Sequence, residues 1–213
     1  MLLEITSGIL ALLIASFLLN FYKDPKRTIP KGNNIVSPAD GKIISIIDTS
    51  DTSKRDLTIS KGLLGKIRTT SNDIAKECHA VSIFMSPIDA HINRAPIDGT
   101  IKSVKHTKGK FFRAYDLEKS FENEKNEIII QNKNLKVKLI QIAGFLARRI
   151  ICNVKVNQKV NKGQKIGMIV LGSQTTLIIS KKIKLRIKIN DRVKAGETII
   201  AELKNYKKLG NSK

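Results

Sequence analysis

The sequence predicts a mainly β protein: a barrel-sandwich, hammerhead-like antiparallel β domain with internal pseudo-repeats, behind an N-terminal hydrophobic helix. Three observations lead there. Pro38-Ala39-Asp40-Gly41-Lys42-Ile43 is echoed by Pro96-Ile97-Asp98-Gly99-Thr100-Ile101, so one turn-into-strand unit occurs twice. The segment from Val156 to Ile166 is echoed by Ile189 to Ile199, each with an apolar residue, a turn, a valine, a lysine-containing pair, a glycine and an isoleucine. Isoleucine and valine recur at period two, the spacing of half-buried strands.

The elements follow in order. Residues 5–22 form a mostly apolar run with no charge between Ile9 and Leu19. That length is near the lower limit for a spanning helix, about 17–25 residues. No Lys or Arg precedes the run and no small-x-small cleavage site follows it, which argues against a signal peptide. Lys23, Lys26, Arg27 and Lys31 come after it, so the positive-inside rule puts the remainder in the cytoplasm, on the inner face of the cell membrane. The expected organisation is a membrane anchor over 1–22, a proline-punctuated linker over 23–34 and one domain over 35–213. Within the domain, residues 49–71 read as a hairpin or loop, and a helix is allowed around 144–149. Lys182–Ile189 alternates cations with aliphatics and reads as the clearest strand, with a cationic ladder on its open face; 135–139 repeats the pattern. The net charge is +21, from 39 Lys and Arg against 18 Asp and Glu. Such an excess attracts polyanions, either an anionic membrane or nucleic acid.

Few residues offer chemistry. Cys78 and Cys152 have no metal spacing and read as small apolar residues in a reducing compartment. Of the three histidines, His91 stands apart. It lies where an apolar strand ending at Met85 enters a proline-bounded turn that also holds Asp89, Asn93 and Arg94. No second His or Cys stands at ligand spacing, so no metal is expected. Gly172-Ser173 lies between two apolar β runs and by itself reads as a tight turn or bulge; it is not a G-x-S-x-G elbow.

Several separated motifs then occur in one order: Phe21-Tyr22-Lys23-Asp24-Pro25; Ser37-Pro38-Ala39-Asp40-Gly41; Phe84 to Pro96; Asn123-Glu124-Lys125-Asn126-Glu127; Gln141-Ile142-Ala143-Gly144 through Arg148-Arg149; and Gly167-Met168-Ile169 leading into Gly172-Ser173. In this the chain resembles phosphatidylserine decarboxylase proenzymes of the short bacterial and archaeal type. The resemblance implies self-cleavage between Gly172 and Ser173, giving a β chain 1–172 and an α chain 173–213. Ser173 would become a covalent pyruvoyl group, which decarboxylates phosphatidylserine to phosphatidylethanolamine and CO₂ through a Schiff base. By position, His91 would be the base in processing and the proton donor in decarboxylation, with Asp40 as its partner. A second histidine of longer relatives is replaced by Arg94, which with Asn93 is assigned to binding substrate. Expected partners are the anionic phospholipid membrane, phosphatidylserine and the paired chains of one precursor, with a homo-oligomer left open and no nucleic acid.

Other readings stay open from the residues alone. Asp40 can be only a turn residue, since Asp98-Gly99 repeats its setting. A membrane-tethered, non-enzymatic hammerhead adaptor fits the repeats, although Lys162 and Lys194 lack the setting of a lipoyl or biotinyl lysine. A nucleic-acid binder rests on charge alone and lacks aromatic platforms. A pyruvoyl decarboxylase of a related serine lipid is the nearest neighbour.

Overall fold

The computed structural model describes residues 2–49, 56–60, 66–71, 73–108, 124–133, 135–144, 149–170 and 173–203. After helix α1 (Leu2–Phe21), the described residues form β1 (Asn34–Val36), β2 (Gly41–Thr49), β3 (Asp56–Ser60), β4 (Lys66–Thr70), β5 (Cys78–Met85), β6 (Ile92–Arg94), β7 (Gly99–Thr107) and β8 (Lys125–Gln131). They continue with β9 (Lys136–Ala143), β10 (Arg149–Cys152), β11 (Lys159–Val160), β12 (Lys165–Val170), β13 (Ser173–Ser180), β14 (Arg192–Val193) and β15 (Ile199–Glu202).

The largest sheet is antiparallel and runs β11-β7-β8-β9-β13-β5-β2-β14. That order reads the same from both ends. The edges β11 and β14 come from the second echo; their neighbours β7 and β2 come from the first. Both Asp-Gly strands shift register at matching places, Ile43/Ser45 and Ile101/Ser103. Their turns also lock reciprocally: Val36 N donates to Pro96 O and Arg94 N to Pro38 O. The pseudo-repeats thus become a pseudo-two-fold around the central strands β9 and β13.

Those central strands are apolar because both faces are covered. Leu139, Leu177 and Ile179 join the main core with Ile43, Ile83 and Ile101. Ile140, Ile142 and Ile178 join a second core with Cys78 and Ala80. Each such side chain, fully buried, contributes about 1.5–3 kcal/mol. A smaller sheet, β10-β12-β6, carries the segment that leads into Ser173.

Several expectations are corrected or refined. Lys182–Ile189 is not a strand: it begins and ends in turns, Ile183 is buried, and its only ladder contact among the described residues is the single bridge Leu185 to Ala201. The neighbouring β15 is only four residues long and is already paired with β1, so alternation here reports facing and not pairing. Lys138 in β9 is not on a solvated ladder: it is buried and ion-paired with Asp73 (2.5 Å) and Glu127 (3.4 Å). The hairpin expected within 49–71 is β3 paired with β4. The helix expected around 144–149 lies mostly outside the described residues, and Arg149 opens β10. Residues 23–34 are not a free spacer; they pack along the domain. Among the described residues, no helix is long and apolar enough to cross a membrane. In α1, the described side chains from Glu4 to Leu19 are exposed on every face.

Candidate active site

The turn after β5 is held by Asp89, whose Oδ2 accepts hydrogen bonds from Ser86 N (2.8 Å) and Ser86 Oγ (2.7 Å). It delivers His91 into the interior with no exposed surface. The His91 Nδ1–H donates to the Asp89 carbonyl at 2.8 Å, because a carbonyl can only accept. Nε2 therefore carries the lone pair. It is buried and, among the described residues, has no hydrogen-bond partner. The ring of Phe21, itself buried at the end of α1, lies over the imidazole with centroids 4.2 Å apart. Burial holds the His91 pKa below its ordinary value; the Asp89 carbonyl and the charges of Asp89 and Asp40 oppose that only in part. The lowered pKa favours the neutral ring, whose basic nitrogen meets no donor among the described residues.

Ser173 opens β13, paired with Met85 of β5 and Ala143 of β9. Gly172 lies outside the described residues. The His91 carbonyl accepts a hydrogen bond from Ile169 N at 3.2 Å, which ties the histidine's backbone to the strand leading to Gly172-Ser173.

Asp40 is placed by the turn before β2. Its Oδ1 accepts from Ala195 N and its Oδ2 from Arg27 Nη2, both at 2.7 Å. Among the described residues no hydrogen bond joins Asp40 to His91; its charge reaches the ring through space.

Asn93 is buried and saturated. Its Nδ2 donates to Thr175 Oγ1 (3.1 Å), and its Oδ1 accepts from Gln141 Nε2 (2.8 Å). Gln141 Oε1 in turn accepts from Asn126 Nδ2 at 2.8 Å. This relay ties β6 to β13 two residues past Ser173. Gly167 makes room for it: a Cβ there would lie 2.9 Å from Gln141 Nε2 and 2.4 Å from the Ile151 carbonyl. Arg94 is nearly as buried, donating to the Gly163 carbonyl (2.9 Å) and pairing with Asp24.

Phe21, Asp24, Arg27, Gln141 and Asn126 were not among the site residues expected from the sequence. One signal was available: Gln141 sits in the middle of an apolar strand, where a polar side chain must find partners. The sequence also suggests a membrane-facing basic patch from Lys23, Lys26, Arg27 and Lys31 with Lys108, Lys110, Arg113, Arg148 and Arg149; of these Lys26, Lys31, Lys108 and Arg149 are exposed, whereas the Arg27 side chain is largely covered and paired. Lys23 donates to the Ile88 carbonyl, and Lys110, Arg113 and Arg148 lie outside the described residues. Among the described residues no cluster of His, Cys, Asp and Glu is arranged to hold a metal ion.

Comparison with known proteins defines the class: the chain is an enzyme, a decarboxylase. It belongs to the phosphatidylserine decarboxylase family, whose model matches residues 14–201. A provisionally named archaetidylserine decarboxylase proenzyme from Methanocaldococcus jannaschii is 44% identical over 188 residues, covering 87% of this chain and 89% of that protein. Phosphatidylserine decarboxylase proenzymes from Chlorobium phaeobacteroides and Chlorobium limicola are 42% and 37% identical, covering 86% and 91% of this chain and 78% and 82% of their own. Glucose permease IIA from Mycoplasma capricolum superposes with a TM-score of 0.41 at 18% identity, too distant a likeness to bear on fold or function. Family membership sets aside the adaptor reading.

Proposed function

We propose that the chain is a self-processing precursor that cuts between Gly172 and Ser173 and then decarboxylates a serine-headgroup phospholipid to its ethanolamine counterpart. The carrying observation is His91: buried, held toward its neutral form, with an Nε2 that has no partner among the described residues and a backbone tied to the strand that leads into the cut. Relatives named as proenzymes support the same reading.

In processing, Ser173 Oγ–H gives its proton to His91 Nε2 as the oxygen adds to the Gly172 carbonyl. The Gly172–Ser173 C–N bond breaks and its nitrogen is protonated, leaving an ester. Loss of the Ser173 α-proton then expels the Gly172 carboxylate and frees chain 1–172. Water replaces the nitrogen of the remaining dehydroalanine, ammonia leaves, and chain 173–213 begins with a pyruvoyl group. A serine at 173 and a base with a free lone pair fit that product. When present, the group supplies a carbonyl that takes up the headgroup amine and accepts the electron pair left as CO₂ departs. His91 takes the proton that the headgroup ammonium sheds as its amine reacts, and returns it to the headgroup carbon. Strands β5 and β9, flanking Ser173, hold the new terminus in the sheet.

Asn93 positions β13 and does not bind substrate in this reading. Arg94 likewise serves the domain first, through Gly163 and Asp24. The exposed Ile5, Ile9, Leu12, Leu13 and Leu19 of α1 are the basis for proposing contact with an anionic membrane, and exposed Lys26 and Lys31 after it for proposing the cytoplasmic face.

Headgroup chemistry alone does not distinguish ester from ether lipids, and the Methanocaldococcus relative favours an archaetidyl lipid as a second substrate reading. The test is release of labelled CO₂ from vesicles of phosphatidylserine and of archaetidylserine. Release from either, lost in Ser173→Ala, supports the proposal. Cleaved protein that releases CO₂ from neither lipid sinks it.

A further inference from the structure

We propose that residues 21–27 form a positioning strap for the catalytic set, in which Phe21, Asp24 and Arg27 hold His91, Arg94 and Asp40. The inference rests on the roles just proposed for His91 and Asp40. The geometry is regular. Beyond Tyr22 the chain runs through Pro30 without helix or strand. Phe21 and Asp24 are three residues apart, as are their partners His91 and Arg94. Phe21 covers the His91 ring at 4.2 Å. Asp24 pairs with Arg94 Nη2, and through its other oxygen with Lys165. Three residues on, Arg27 Nη2 pairs with Asp40 Oδ2 at 2.7 Å, with a side chain only 7% exposed.

The ends of the strap are fixed independently. Thr28 N donates to Glu197 Oε1 at 2.9 Å, and the Ile29 side chain lies against Gly163 and Gly196. At the other end, Lys23 Nζ reaches the Ile88 carbonyl of the turn that delivers His91, at 3.2 Å. A spacer that only joined helix to domain would not need buried contacts to all three residues.

The strap acts on His91 in two ways. Phe21 keeps water from the ring, and Arg27 balances the charge of Asp40. The charged groups that bear on the ring are Asp89 in its own turn, itself met by Arg192, and Asp40, met by Arg27. Removing the Phe21 ring admits water and eases protonation of His91. Removing Arg27 leaves Asp40 uncompensated, which also favours the protonated ring. Because processing needs the neutral ring, both changes move the acid limb of its rate to higher pH.

The test is pulse–chase of the full chain, synthesised cell-free into phosphatidylglycerol vesicles, with cleavage followed across pH. Arg27→Ala is expected to slow cleavage by about tenfold to a hundredfold, the scale of a misplaced catalytic group. That effect should vanish in an Asp40→Asn background, because Arg27 acts through Asp40. Phe21→Ala should shift the acid limb upward, with Phe21→Tyr restoring it. If Phe21→Ala melts early, Phe21→Leu keeps the apolar volume without the ring face and is expected to shift the limb less. Variants that fold normally and cleave with the wild-type rate and limb would overturn the strap. A wild-type chain that never cleaves would instead overturn the reading of the site.

Discussion

Asp40 and Asp98 sit in equivalent Asp-Gly turns, and each accepts a hydrogen bond from the second echo at 2.7 Å: Asp40 from Ala195 N, Asp98 from Lys162 N. Around them the backbone pattern repeats bond for bond. Ile43 N donates to Asp191 O and Ile101 N to Gln158 O; Gly196 N donates to Ser37 O and Gly163 N to Ala95 O. Asn157 and Asn190 both take positive φ, 69° and 78°. The surroundings differ. The second oxygen of Asp40 is bound by Arg27, whose side chain is largely covered, and its charge bears on His91. Asp98 lines an open groove of about 470 Å³ with Lys102, Lys133 and Lys159. The aspartate's turn role is therefore common to both halves and calls for no chemistry. The difference comes from the strap, which crosses one Asp-Gly turn and not the other.

The largest expected effect is on the residue that only one half engages. His91→Ala should slow self-cleavage by about 10²–10⁴-fold, the usual share of a general base, as read by pulse–chase. Asp40→Asn and Asp98→Asn sharpen the contrast. An asparagine at 98 keeps the one acceptor needed, so cleavage should stay at the wild-type rate with stability changed by no more than about 1 kcal/mol. At 40 the amide must turn its NH₂ toward either Ala195 N or Arg27, so cleavage should slow at least about tenfold, as expected for a disturbed catalytic geometry. Equal effects at the two positions would break the comparison.

Two smaller effects concern stability. Gly163 and Gly196 have φ of +80° and +78°, a region that costs an L-residue about 1–2 kcal/mol. Alanine should lower the melting midpoint at both, and more at 163, where a Cβ would lie 2.3 Å from the Ile29 side chain against 3.0 Å at 196. The smallest effect is a pH slope. Burial holds the folded-state pKa of His91 below its ordinary value of 6.5, so the unfolded chain takes up a proton that the folded one does not. Stability from this source is intact above about 6.5 and declines as pH falls below it. In a Ser173→Ala background, which keeps the chain whole, adding His91→Gln should flatten the slope of melting midpoint between pH 7 and 5.

The pseudo-repeats were legible in the sequence because Asp-Gly turns and positive-φ Asn and Gly positions need particular residues. His91 stands out by the polar, proline-bounded turn around it, whereas Ser173 stands out only through the ordered motifs of a family. The partners of these residues were not legible, because the pairs are far apart in the chain. Asp24 meets Arg94 across 70 residues, and Arg27 meets Asp40 across a segment that reads as a proline-punctuated linker. Lys138 read as a solvated cation because its acidic partners, Asp73 and Glu127, come from other elements. Lys182–Ile189 alternates as a strand does, yet whether a neighbour offers a ladder is settled elsewhere in the chain.

The account turns on whether this chain makes its own reactive group from Ser173. The direct measurement is the intact mass of the full chain purified in detergent, beside Ser173→Ala. The predicted result is two fragments, 1–172 and 173–213, the smaller lighter than a serine-started peptide by one ammonia, with the alanine variant whole. A wild-type chain that stays a single species in detergent and in phosphatidylserine vesicles would contradict it.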